Sequence, residues 1–201
     1  MLMQQFRAIH ITYTSLFVCL MVIGANIAIW FPFLTVPIGG ASVPLSLQTF
    51  FAILAGMILG KRLGAFAMIV YILIGLTGLP VFAGLKGGLY PMISPTGGFI
   101  ISFVFIAFIV GWILENKSVY SSKDLITVAI IGLMINYTLG VTYMYIAMNE
   151  WLELPISYLT AWIGMVPFLV KDSVLTIVAA ITMMALQKRV SSIPVIQNIS
   201  R

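Results

Sequence analysis

Two ionisable side chains, Lys171 and Asp172, lie inside the last apolar stretch of the chain. A charge at membrane depth is costly, and it usually meets a polar ligand or another polar group of the protein. Pro167, five residues earlier, lacks a backbone N–H and predicts a helix irregularity near Asp172. Because neighbouring residues on a helix point apart, we expect Lys171 and Asp172 to pair with other groups and not with each other. The two residues therefore indicate contact with a polar ligand, with bonding to other helices as the alternative.

Further polar side chains occur at helical spacing in other apolar stretches. Gly132, Asn136, Gly140 and Tyr143 stand at i, i+4, i+8 and i+11, so they share one face of a predicted helix. Such a face is either a close helix contact or a pocket wall with Asn136 and Tyr143 as polar groups. Gln48, near the start of an earlier apolar stretch, either joins two helices or touches a ligand.

A segment rich in glycine and proline, residues 78–98, separates two apolar stretches. Glycine permits positive φ and proline fixes φ, so we predict a shaped loop that folds back over the helices as a lid. Its apolar residues include Phe82. Lys86, next to Gly87, either offers an ammonium group to an anionic ligand or lies among lipid headgroups.

Several kinds of chemistry are excluded by the residues that are missing. There is no Gly-rich nucleotide loop of the type G-x-x-x-x-G-K-[ST], and His10 is the only histidine. The five carboxylates occupy separate places, and Cys19 is the only cysteine. We therefore expect no enzyme activity, no ATP binding, no bound cofactor, no metal site and no disulfide framework.

The composition indicates that most of the surface of this chain faces lipid and not water. Of 201 residues, 62% are hydrophobic and 7% are charged, whereas soluble domains carry about a quarter charged residues. Long apolar runs without alternation predict helices, since a chain in lipid must pair its own backbone groups. We expect a single all-α, polytopic membrane domain over residues 1–201, with six transmembrane helices at 9–30, 45–60, 63–79, 98–114, 125–147 and 160–186.

The basic residues predict the orientation in the membrane, because Lys and Arg favour cytoplasmic loops. They stand singly or in pairs at the span ends, so the net charge of +5 does not indicate nucleic acid as a partner. Only Lys86 falls outside if both termini are cytoplasmic. The basic residues then on the inner side are Arg7, Lys61, Arg62, Lys117, Lys123, Lys188, Arg189 and Arg201.

Four motifs in this order resemble one transporter family. They are VPLSLQT at 43–49, GLTGLPVFAG at 75–84, SPTGGF at 94–99 and PFLVKD at 167–172. The chain is similar, from about Leu16 to Arg189, to the biotin-specific substrate-binding (S) component of energy-coupling factor transporters, the BioY type. The resemblance implies a six-helix S component in the cell membrane that captures biotin near the outer face. It also implies a transmembrane coupling protein and two cytoplasmic ATPases, which bind the ATP.

The resemblance extends to site residues, with two departures. The Ala-x-x-x-Ala pattern through which helix one meets the coupling protein is matched here by Ser15 and Cys19, which are still small. Many relatives have a lysine three residues after the aspartate, where this chain has Leu175. Some relatives have asparagine at the position of Lys86.

Biotin combines a ureido ring, an apolar thiophane and an anionic tail. Our hypothesis is that Asp172 accepts the ureido N–H groups and that Asn136 or Gln48 completes this polar end. Phe82 and Tyr143 enclose the ring, and Lys86 or Lys171 neutralises the carboxylate. The reverse assignment of the two ends of biotin to these residues is the alternative. An S component for another vitamin and a structural membrane subunit are the alternatives. The expected ligand-binding residues are Gln48, Phe82, Lys86, Gly87, Asn136, Tyr143, Lys171 and Asp172.

Overall fold

The computed structural model describes residues 8–31, 33, 35–38, 41–117 and 121–190. Five of the helices in this part of the chain are long and apolar enough to cross a membrane. Their number and composition agree with a multi-pass membrane protein. They are α1 (Ala8–Ala25), α3 (Gln48–Leu76), α5 (Gly97–Glu115), α6 (Ser122–Glu150) and α7 (Tyr158–Val190).

Short elements lie between the long helices. A single turn, α2 (Ile27–Trp30), follows α1, and another, α4 (Tyr90–Ile93), precedes α5. Strands β1 (Thr35–Ile38) and β2 (Ala41–Pro44) form an antiparallel pair with Val36 opposite Val43. This hairpin was not predicted, because residues 31–44 fall between the first two predicted spans.

Helix α3 consists of two arms that fold back on each other at Gly60, whose φ of 76° and ψ of 179° are not helical. Nε2 of Gln48 lies 2.9 Å from Oη of Tyr71, although a straight helix would separate these residues by roughly 35 Å. The arms, 48–59 and 61–76, correspond to the second and third predicted spans. Because the first arm would extend only about 18 Å, against a hydrocarbon core of about 30 Å, the count of six crossings stays a prediction.

The turn between the arms is fixed by the end of α5. Glu115 accepts a hydrogen bond from the backbone N–H of Lys61 at 2.8 Å and forms an ion pair with its Nζ at 3.0 Å. A Cβ on Gly60 would lie 2.3 Å from Oε1 of Glu115, and one on Gly111 would lie 2.3 Å from the Lys61 nitrogen. Glycine at both positions therefore allows α5 to approach the turn.

Gly60→Ala is expected to lower the thermal unfolding midpoint of the detergent-purified protein. The backbone conformation at residue 60 is open almost only to glycine, and forcing another residue into it costs about 1–3 kcal/mol. The matched control is Gly164→Ala on α7, because a Cβ there would meet nothing within 4 Å. An equal midpoint for the two variants would contradict this account of the turn.

Helix α3 is the centre of the bundle: it packs against α1, α5 and α7, while α6 packs between α5 and α7. Its arms contribute Ile53 and Met68 to the apolar core, together with Met21 of α1, Ile106 of α5 and Leu125 of α6, all fully buried. Apolar side chains also cover the outside of the bundle, as expected for a surface in contact with lipid.

Pro167 does not break α7. The helix continues through it from Tyr158 to Val190, and Pro167 lies exposed, whereas Asp172 is buried. The irregularity predicted beside Asp172 is therefore wrong: α7 continues through Pro167, although the proline has no backbone N–H to donate. The proline ring and the carboxylate also lie on different faces of the helix. The predicted orientation is untested: Arg7 and Arg201, on which it partly depends, lie outside the described residues.

Candidate functional site

The carboxylate of Asp172 is the end point of a buried polar network between α3, α6 and α7. Asp172 is 4% exposed. Oδ2 accepts a hydrogen bond from Oη of Tyr137 at 2.8 Å and a longer one from Oγ1 of Thr49 at 3.4 Å. A buried acid was expected here, and protein groups donate hydrogen bonds to one of its two oxygens.

Lys171 and Asp172 pair with each other, so the expectation that they would not is wrong. Nζ of Lys171 lies 2.7 Å from Oδ1 of Asp172, and it also donates to the backbone carbonyl of Ser46. The Cβ directions of neighbouring helical residues do diverge by about 100°, but the long flexible lysine chain reaches back across that angle. Oδ1 has this ion pair but no hydrogen bond of ordinary geometry among the described residues.

Asn136 extends the network to α5. Its Nδ2 donates to Oγ1 of Thr49 at 3.0 Å, and its Oδ1 accepts from Oγ of Ser102 at 2.7 Å. The donors thus point in one direction, from Ser102 through Asn136 and Thr49 to Asp172. Of the two alternatives for Asn136, the structure has it joining helices, with both ends of its amide bonded to protein.

A second chain of hydrogen bonds runs from the start of α3 toward the loop after it. Gln48 donates to Oη of Tyr71, which donates to the carbonyl of Val81 at 3.1 Å. Gln48 and Thr49 are neighbours in the first turn of α3, and Ser46, two residues before the helix, bonds Lys171. Residues 46–49 therefore connect the two series of hydrogen bonds. These residues belong to the motif at 43–49 that the sequence analysis singled out.

Phe82 anchors the loop in the core. It is 1% exposed and meets the ring of Tyr71 edge to face, with centroids 5.5 Å apart. Gly75 provides the room, because a Cβ there would lie 2.1 Å from the Phe82 ring. The ring that we expected to enclose a ligand is thus covered by protein.

The backbone of Phe82 bonds that of Lys86 in both directions, at 2.9 and 3.3 Å. The side chain of Lys86 is exposed, and it forms no salt bridge within the described part of the chain. Gly87 lies against backbone, since a Cβ there would be 2.4 Å from the carbonyl oxygen of Leu79. The loop therefore presents a free ammonium group from a tightly packed backbone.

Tyr143 fixes the short helix α4 and lies apart from the Asp172 network. Its hydroxyl donates to the carbonyl of Met92 at 2.7 Å, and its ring packs against Trp151 with centroids 5.8 Å apart. Trp151 in turn donates to the carbonyl of Ile93 at 2.7 Å. The loop between α3 and α5 thus folds back onto α6, as the sequence predicts.

Ser15 and Cys19 lie on the exposed face of α1, opposite buried Phe17 and Met21. This position is accessible to lipid or to another protein.

Within the described residues, no group of three or more His, Cys, Asp or Glu side chains is arranged to hold a metal ion.

The sequence did not single out Thr49, Tyr71, Ser102 and Tyr137 of these networks, nor Asn26, which accepts a hydrogen bond from the loop at Leu85. Thr49, Tyr71 and Tyr137 each carry a hydroxyl within an apolar stretch, and that polar group was the available signal. Asn26 is a polar residue within the first apolar stretch, which is itself a signal. For Ser102, a small residue in an apolar helix, no sequence signal distinguished it from a packing position.

Comparison with known proteins gives consistent matches over almost the whole chain. The model of the BioY family matches residues 2–192. BioYB of Bacillus subtilis is 41% identical over 87% of this chain and 86% of its own, and the biotin transporter BioY of Thermotoga maritima is 36% identical over 87% and 93%. The crystal structure of the S-component for biotin from an ECF-type ABC transporter superposes with a TM-score of 0.68 at 24% identity, covering 94% of this chain and 95% of that one. This last likeness concerns the fold.

Proposed function

The chain belongs to the BioY family, and we propose that it captures biotin and brings it across the cell membrane as the S component of an energy-coupling factor transporter. Relatives that match most of this chain carry the name of biotin transporters. The observation that carries the proposal is the buried hydrogen-bonded network that ends on Asp172. Because the family is one of biotin transporters, the proposed function of the chain is transport and not catalysis.

We propose that residues 1–201 form one substrate-binding domain with six crossings and cytoplasmic termini. The five long helices and the fold-back of α3 at Gly60 support this arrangement, with the two short arms of α3 as the second and third crossings. A short arm is tolerated where neighbouring helices cover it, and α3 packs against α1, α5 and α7.

Asp172 is proposed to accept a ureido N–H of biotin at Oδ1. This oxygen is buried and forms an ion pair with Lys171, but no aligned hydrogen bond among the described residues, while Oδ2 already accepts from Tyr137 and Thr49. A hydrogen bond to an ionised acceptor is stronger than one between neutral groups. Asn136 acts through Thr49 in this arrangement, and Gln48 acts through Tyr71.

Lys86 is proposed to neutralise the carboxylate of biotin. Lys171 is engaged by Asp172 and by the carbonyl of Ser46, whereas Lys86 is exposed on the loop. Phe82 and Gly87 contribute by shaping that loop, and Tyr143 contributes by holding α4. The head and tail of the ligand are thus assigned to different elements, α7 and the loop after α3.

Energy is proposed to come from partners. A transmembrane coupling protein would meet α1 at Ser15 and Cys19, whose small side chains lie on the exposed face, because small residues allow helices to approach closely. Two cytoplasmic ATPases would bind the ATP for which this chain has no Gly-rich nucleotide loop.

Calorimetry and thermal unfolding of the purified protein in detergent test the function. We expect biotin to bind with 1:1 stoichiometry and to raise the unfolding midpoint, since a ligand that binds only the folded state stabilises it. Riboflavin and thiamine are the competitors. Displacement of labelled biotin by either vitamin at equal concentration would favour another S component, and no stabilisation by any of the three would favour a structural subunit.

Lys86→Ala is expected to weaken biotin binding by about 10- to 100-fold, the value of a charge-assisted hydrogen bond, without changing the unfolding midpoint. Biotin amide, which lacks the anionic carboxylate, is expected to bind the variant and the parent equally. Calorimetry with both ligands measures the difference, and Lys123→Ala, also exposed, is the matched control. Equal loss for biotin and its amide would contradict a carboxylate contact, and no loss for either would transfer that role to Lys171.

A further inference from the structure

The side chain of Asn26, directly after the C-terminal end of α1, joins that helix to the loop that carries Lys86. Oδ1 accepts a hydrogen bond from the backbone N–H of Leu85 at 2.8 Å. Nδ2 donates to the carbonyl of Val22, one turn earlier in α1, at 3.0 Å, and approaches the carbonyl of Val81 at 3.5 Å. Asn26 is 4% exposed, so both ends of its amide are bonded to backbone in a buried setting.

The loop needs such support because its backbone is strained. Gly84 and Leu85 both have positive φ, 76° and 54°, and a residue with a Cβ enters that region at a cost. The side chain of Leu85 is 56% exposed, so burial offsets little of this cost. The contacts that hold the conformation are the paired backbone bonds between Phe82 and Lys86 and the bond from Leu85 to Asn26.

We propose that Asn26 is a positioning residue for Lys86. It holds the left-handed turn at residues 84–85, and the turn sets the direction in which the next residue leaves the loop. The direction in which the Lys86 side chain leaves the backbone is therefore set before any ligand arrives, and the C-terminal end of α1 is fastened to the loop. The geometry is independent of the ligand, whereas the effect on binding rests on the proposed function.

Asn149 provides a natural control within the same chain. It stands at the end of α6, where Nδ2 donates to the carbonyl of Tyr145 one turn earlier and to that of Ile156, and Oδ1 accepts from the N–H of Ile156. The pattern is that of Asn26, but it fastens the segment between α6 and α7, to which we assign no ligand contact.

The test uses Asn26→Ser and Asn149→Ser in the full chain. Serine can still bond the carbonyl one turn earlier in its helix, but it is too short to reach the loop. In hydrogen–deuterium exchange without ligand, we expect amides in 82–88 to exchange about tenfold faster in Asn26→Ser, as for loss of one hydrogen bond. Asn149→Ser should accelerate only 150–157. Unchanged exchange at 82–88 in Asn26→Ser would overturn the proposal, whether or not the protein binds biotin.

Binding affinity then tests the consequence for Lys86. Asn26→Ser should weaken binding of biotin but not of biotin amide, and Asn149→Ser should leave both unchanged. Adding Leu85→Gly to Asn26→Ser should restore much of the affinity, because glycine adopts positive φ without strain. Equal weakening for both ligands, or no recovery with Leu85→Gly, would overturn positioning of the ammonium. Absence of biotin binding by the parent protein would refute the proposed function and leave the exchange result to decide about the loop.

Discussion

Asp172→Asn is expected to weaken biotin binding by about 100-fold or more, which corresponds to loss of one to two charge-assisted hydrogen bonds. Asparagine has nearly the same size as aspartate, so the packing around residue 172 is kept. Its amide has only one acceptor atom, and that atom cannot serve the hydroxyl of Tyr137 and a ureido N–H from two sides as two carboxylate oxygens do. Asp172→Asn therefore removes a hydrogen-bond acceptor from the site but keeps the shape of the side chain.

Calorimetry below the unfolding midpoint measures this affinity on folded protein. The fold is expected to survive with a lower midpoint, because Lys171 keeps its bond to the carbonyl of Ser46 and its side chain is 18% exposed. The control is Glu150→Gln, which changes an exposed carboxylate at the end of α6 in the same way. Wild-type affinity in Asp172→Asn would remove Asp172 from the ligand and leave it a purely structural residue.

The sequence was sufficient to identify Asp172, Asn136 and Gln48 as residues that needed partners. All three are buried and hydrogen-bonded, because a polar group in an apolar helix has few alternatives. The identities of the partners did not follow from sequence. Thr49 and Ser102 are polar residues that pack easily anywhere in a helix, and only the crossing of α3, α5 and α6 places their hydroxyls beside Asn136.

The backbone conformation at the turns is the part of the fold that the sequence did not predict. Apolar runs indicated the long helices, and Lys61 and Arg62 separated the second and third predicted spans. They did not indicate that the return of α3 depends on one residue, Gly60, with a positive φ. Likewise, a reading based on Cβ directions separated Lys171 from Asp172, since it ignored the reach of a lysine side chain. Pro167 misled for a related reason: its place in the sequence is near Asp172, but its face of α7 is exposed.

Lys171→Met is expected to destabilise the protein strongly, by about 3–5 kcal/mol, because it leaves the carboxylate of Asp172 buried without its cation. Methionine is about as long as the aliphatic part of lysine and packs readily among apolar groups, so the lost charge is the main change. The unfolding midpoint in detergent is the measurement. Lys123→Met, at an exposed position, controls for replacing a lysine by methionine and should leave the midpoint unchanged.

The double variant Lys171→Met/Asp172→Asn separates the two roles of this pair. Removing both charges together takes away the unpaired carboxylate, so the midpoint should recover most of what Lys171→Met loses. Biotin binding should not recover, since the acceptor proposed for the ureido ring is still absent. A double variant as unstable as Lys171→Met would mean that the bond to Ser46, and not the pairing with Asp172, accounts for the effect of Lys171. Recovery of both stability and biotin affinity would mean that the pair fastens α7 to α3 and that the ligand is held elsewhere.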